Sequence, residues 1–143
     1  MKTLNPIHAD HEKVYNHFVD RQENGQFDRY NADMQSFINR VWNKNLGVVA
    51  AMSHSGIGAD VSNGFVQFVA DNPSMMVRLI GWLTEVRDAL PKLQQPTVEI
   101  RSKTTPNHID DATHYLTVMF RTPRFKTKDD ANTWWSKLVQ SYN

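Results

Sequence analysis

Along residues 115 to 126, YLTVMFRTPRFK, apolar and polar positions alternate. Leu116, Val118 and Phe120 fall on one side, and Tyr115, Thr117, Met119 and Arg121 on the other, which is the period of a strand covered on one face. Residues 97 to 104, TVEIRSKT, repeat the pattern, with Val98 and Ile100 inward and Glu99, Arg101 and Lys103 outward. Pro123 has no N–H for a sheet ladder, so the later strand is expected to end near Arg121 or to lie on an edge.

Elsewhere the period is helical. Asn5-Pro6 has the form of a capped helix start, and Ile7, Val14, Phe18 and Val19 follow at near-helical spacing up to a stop near Asn24-Gly25. A second helix is predicted from about Asn31, with Met34, Phe37, Ile38, Val41 and Trp42 on one face and an end at Asn43-Lys44-Asn45. Asn72-Pro73 repeats the cap-and-proline start, and Met76, Leu79, Ile80, Leu83 and Val86 form the stripe of a helix that Pro91 closes. In the last helix Thr127 is the cap, Asp130 takes the acidic side of a capping box, and Trp134, Trp135, Leu138, Val139 and Tyr142 supply the apolar side.

Between these lie two short apolar runs, Leu46 to Met52 and Phe65 to Ala70, joined by SHSGIGADVSNG. Period alone does not assign runs this short, but the turn-forming connector favours two strands over the rival, a helix across 61–71. The order after residue 45 is then strand, strand, helix, strand, strand, helix. It predicts an α+β single domain over 1–143: an antiparallel sheet of about four strands, built from two related halves, with helices packed on one face. Two helices lie at the N-terminus and one at the C-terminus.

Composition narrows the chemistry. The 143 residues include no cysteine, which excludes disulfides, thiolate catalysis and thiolate metal sites. The N-terminal stretch lacks the apolar core of a signal peptide, and no apolar run approaches the roughly 20 residues of a membrane span. The expectation is a cytoplasmic protein, in the host cytoplasm if the chain is viral, with no membrane association. The net charge of +1 is unevenly spread. Residues 1–90 carry 8 Lys/Arg against 10 Asp/Glu, residues 91–128 carry 7 against 3, and the last fifteen carry 1 against 2. Positive charge therefore gathers around the alternating strands, where it can matter to a partner more than the total does.

That concentration suggests a function. If 97–104 and 114–122 pair as a hairpin, Arg101, Lys103, Tyr115 and Arg121 share one face, and Arg124, Phe125, Lys126 and Lys128 gather at its end. Cations that follow phosphates and flat rings that stack on bases are what single-stranded nucleic acid requires. Duplex DNA is more often read by a helix in the major groove, and no basic recognition helix is evident. The chain is accordingly read as a non-enzymatic, single-stranded nucleic-acid-binding protein with Arg101, Lys103, Arg121, Arg124, Lys126 and Lys128 on phosphates and Tyr115 and Phe125 on bases. Small size and the absence of a familiar motif fit an accessory factor for replication, recombination or transcription in a phage or other mobile element. The competing account of the same face is a solubilising strand surface of polar-tipped β-formers.

Other candidates carry less. Trp134 and Trp135 stand about 100° apart on a helix, so one of them, Trp134, is expected to face a protein partner or a second copy in a homo-oligomer. This supports a second reading, a protein-binding module or inhibitor of a host enzyme. His108, Asp110, Asp111 and His114 could hold a divalent ion or move protons, which gives a third, a small metal-dependent enzyme. SHSGIG matches neither a phosphate loop nor a nucleophile elbow, and His8, Asp10, His11 and His17 lack a second ligand cluster. Asn63-Gly64-Phe65 begins like an RNA-recognition signature but the next residues break it. No catalytic residue, metal ligand or cofactor is assigned.

Overall fold

Where the chain enters its later helices, Asn or Thr side chains satisfy the first free amides. The computed structural model describes residues 11–25, 31–53, 62–104 and 114–142. They form α1 (His11–Glu23), α2 (Ala32–Asn43), β1 (Val48–Ser53), β2 (Ser62–Val69), α3 (Pro73–Asp88), a 3-10 turn at Lys92–Gln94, β3 (Thr97–Thr104), β4 (His114–Phe125) and α4 (Lys128–Ser141). The Asn31 side chain accepts from the amides of Asp33 (2.9 Å) and Met34 (3.0 Å), and its Nδ2 donates to Asn132 Oδ1 (2.7 Å), tying the start of α2 to α4. Asn72 accepts from the Met75 amide at 2.9 Å, with Pro73 in the first turn, and Thr127 accepts from the Asp130 amide at 3.1 Å. Asn72→Ala is expected to cost about 1 kcal/mol, seen as a lower denaturant midpoint at unchanged slope.

The expected α+β class with four antiparallel strands is what the chain adopts, and 46–70 does contain two strands. Strand order is β1-β2-β4-β3, so β2 and β4 form the centre and the first strand of each hairpin lies at an edge. Each hairpin is followed by a helix, β1-β2 by α3 and β3-β4 by α4, and the second strand of each hairpin lies at the centre of the sheet. Gly47 is required just before β1, because a Cβ there would stand 2.8 Å from the Val69 carbonyl oxygen.

Helices α2, α3 and α4 cover one face. Their buried side chains pack with Val49, Val66, Phe68, Val118 and Phe120 of the sheet. Phe37 of α2 is the hub, its ring centroid 4.6 Å from that of Phe120, 5.7 Å from Trp135, 5.8 Å from Trp82 and 5.9 Å from Phe68.

Helix α1 departs from the expected one-sided packing. It lies on the opposite, outer face, where Val14 and Phe18 are buried with Val48, Ala50, Val69 and Tyr115. An amphipathic helix fixes which of its own sides is buried, not which face of a sheet receives it. The expected start at Asn5-Pro6 lies outside the described residues.

Two further expectations are corrected. Strand β4 does not stop near Arg121 but runs through Pro123 to Phe125. Trp134 does not face outward: it is 5% exposed, its indole N–H donates to the Gln94 carbonyl at 2.8 Å, and its ring packs on Phe120 and Phe125. Both tryptophans are buried because α4 is covered on two sides, Trp135 facing Phe37 and Trp134 facing the end of β4 and the 3-10 turn.

Candidate nucleic-acid interface

The extension of β4 past Arg121 determines what the outer face carries. Asn63 of β2 pairs with Arg124 and Phe65 pairs with Arg121, so two steps along β2 match three along β4. The extra residue is a β-bulge at Thr122–Pro123. Proline is tolerated there because the ladder is already interrupted, and the Thr122 hydroxyl takes the Gly64 amide at 2.8 Å in place of a backbone partner. Residues three apart on a regular strand face opposite ways. The bulge cancels that, and puts Arg121 and Arg124 on the same outer face while turning Phe125 inward onto Trp134.

Register places Arg101 opposite Thr117 and Thr97 opposite Arg121, so Arg101, Arg121 and Arg124 belong to the outer face, while the Lys103 backbone pairs with that of Tyr115. Arg101 and Arg124 are exposed and Arg121 is half-buried. Glu99, the one acidic residue in the β3 and β4 sequences, receives Arg101 Nη2 on its Oε1 at 2.9 Å. That hydrogen bond, with the charges of Arg101 and Arg121 nearby, holds the Glu99 carboxyl below its usual value. Arg121 Nη2 lies 3.1 Å from Met119 Sδ, which keeps the guanidinium stem down along the strand. Lys126 and Lys128 are exposed, between β4 and the first turn of α4.

The aromatic half of the expected site is not there. Tyr115 is 0% exposed, under α1 with the Phe18 ring 6.1 Å away, and burial pushes its phenol up to about 12. Phe125 is 9% exposed and belongs to the core. Neither presents a ring to a base. Thr117 and Met119 of the same row are also buried, at 0% and 6% exposure, with the Gln67 amide reaching the Thr117 hydroxyl at 3.5 Å. Alternation of Tyr, Thr, Met and Arg reads as a wet face because each has a polar or polarisable tip, yet only its Arg121 end stays half open.

A ring outside the expected site residues is Phe65, which the sequence offers only within the broken Asn63-Gly64-Phe65 signature. It is half-buried, and its pairing with Arg121 puts it on the outer face between Arg121 and the edge strand β1. Its signal was the hairpin register, which no single-strand periodicity contains. Of the proposed metal loop, 108–111 lies outside the described residues, as does SHSGIG after Ser53; among the described residues no group of three His, Asp or Glu could hold a metal ion. No helix among them is long and apolar enough to cross a membrane. Comparison with protein-family models, with curated proteins and with solved structures gives no match to this chain.

Proposed function

We propose that the β3–β4 side of the outer face binds single-stranded nucleic acid without catalysis. The observation that carries this reading is the bulge at Thr122–Pro123, which brings Arg124 to the face of Arg121 and Arg101. Lys126 and Lys128 extend the row beyond the strand. Phosphates lie along these cations, and Phe65 beside Arg121 replaces Tyr115 and Phe125 as the ring available to a base. With one partly open ring instead of two, contacts to the backbone dominate and base preference is slight.

The test is fluorescence polarisation with labelled single- and double-stranded oligonucleotides at several salt concentrations. Affinity for the single strand is expected to fall with salt at a log–log slope of roughly −0.7 per phosphate neutralised. Arg121→Ala combined with Arg124→Ala is expected to flatten the slope by about 1.4, two contacts' worth. Binding indifferent to salt, or unchanged in that double variant, overturns the reading.

A further inference from the structure

Among the described residues strand β3 is an edge of the sheet, and it exposes more than polar tips. Ile100, midway along it, is 54% exposed, and Thr97, Arg101 and Ser102 beside it are exposed as well. An open edge offers unpaired backbone donors and acceptors to another strand. Which residues offer them follows from one hydrogen bond: the Thr117 hydroxyl donates to the Arg101 carbonyl at 3.3 Å, so that carbonyl faces β4. Alternate residues of an antiparallel strand direct their backbone groups to opposite neighbours. Val98, Ile100 and Ser102 therefore turn theirs to the free edge.

The side chains on this edge are self-complementary. When two copies of β3 run antiparallel with Ile100 opposite Ile100, the outward amides and carbonyls of Val98, Ile100 and Ser102 meet in register. Glu99 of each copy then falls opposite Arg101 of the other, at the non-hydrogen-bonded positions where side chains approach most closely. Shifting the register by two residues in either direction breaks this match: one places Arg101 opposite Arg101, the other Glu99 opposite Glu99. The charge order Glu99-Ile100-Arg101, which within one copy forms the 2.9 Å pair, is thus also the order that specifies a two-fold partner.

We propose that this chain self-associates by antiparallel pairing of β3 with β3 of a second copy, centred on Ile100, to give one continuous eight-stranded sheet. The two-fold axis stands perpendicular to the sheet, so the outer faces of both copies lie on the same side and their cationic rows become one. The contact area of a single strand edge is small, so the dimer is in concentration-dependent exchange with monomer. This inference does not rest on the nucleic-acid reading, and its test contains no oligonucleotide.

Sedimentation velocity over a range of concentrations is expected to show dimer formation in the unaltered chain. Glu99→Arg leaves only cations along the central stretch and Arg101→Glu leaves only carboxylates. Each variant alone is expected to dissociate about tenfold more readily or worse, since two attractive cross-strand pairs become repulsive. An equimolar mixture of the two restores both pairs and is expected to recover the dimer at concentrations where each alone is monomeric. Both side chains reach solvent, Arg101 at 46% and Glu99 at 41% exposure, so the fold is retained, and recovery on mixing confirms it. A chain that stays monomeric up to about 1 mM, single variants that dimerise as before, or a mixture that fails to recover overturns the proposal.

Discussion

Phe37→Ala is expected to lower the folding stability by about 3–5 kcal/mol, the range for removing a large buried aromatic ring. The ring is fully buried, and it is where α2, α3, α4 and the central strands meet, through Trp82, Trp135, Phe68 and Phe120. Its neighbours are themselves rigid rings held by backbone on four different elements, so the cavity does not collapse and the upper part of the range applies. Against a total of about 5–15 kcal/mol for an ordinary domain, this leaves a marginal protein. Urea unfolding followed by tryptophan fluorescence should show a much lower midpoint. Leu93→Ala, at a side chain 95% exposed, is the control, and should move it by under about 0.5 kcal/mol. Equal effects at the two positions would contradict the packing described.

Phe18→Ala is expected to release α1 from the outer face while leaving the α2–α4 core in place. The attachment of α1 is a cluster separate from the main core, and Phe18 is its largest apolar member apart from Tyr115. The Arg21 guanidinium lies 5.7 Å from the Phe18 ring, so the loss includes that contact also. A cost of about 3–5 kcal/mol applies to docking of the helix rather than to the whole fold. Hydrogen exchange should therefore rise across α1 and stay slow in β2 and β4.

Tyr115 gives that variant a second readout. Its phenol, held near 12 by burial, should return toward the ordinary value of about 10 once α1 leaves, visible in the ultraviolet titration of tyrosine. The sign for stability follows. The folded chain keeps the Tyr115 proton after the unfolded chain has lost its own, so this contribution is complete below about pH 10 and disappears as pH rises toward 12. At roughly 1.4 kcal/mol per pH unit the alkaline loss amounts to about 2–3 kcal/mol, and the Phe18→Ala chain should lack most of it. An unchanged Tyr115 titration would show that α1 does not seal the ring.

Much of the fold was legible because most elements satisfy one period each. The stripe of Met34, Phe37, Ile38 and Val41 is buried as a unit, as is that of Met76, Leu79, Leu83 and Val86. The alternation in β3 and β4 gave the placement of Arg101 and Arg121 on one face. What was not legible depends on two elements at once. The bulge that brings Arg124 to that face and takes Phe125 away from it exists only in the pairing with β2. Trp134 looked surplus on a one-sided helix, but the Gln94 carbonyl and Phe125, far apart in sequence, form a second side. Tyr115 looked open because strand alternation does not record a helix arriving from the other end of the chain.

The strand order has a consequence for how the chain reaches this state. β1 with β2 and β3 with β4 are hairpins, joined by segments close in sequence, whereas the β2–β4 seam joins Phe68 to Val118 and Phe65 to Arg121 across the whole of α3 and β3. Closing that seam carries the largest loop entropy in the sheet, and Phe37 can bridge Phe68 and Phe120 only after it has closed. The seam is therefore where cooperativity between the two halves resides: either hairpin can form from local contacts, but the aromatic centre rewards neither until both are present.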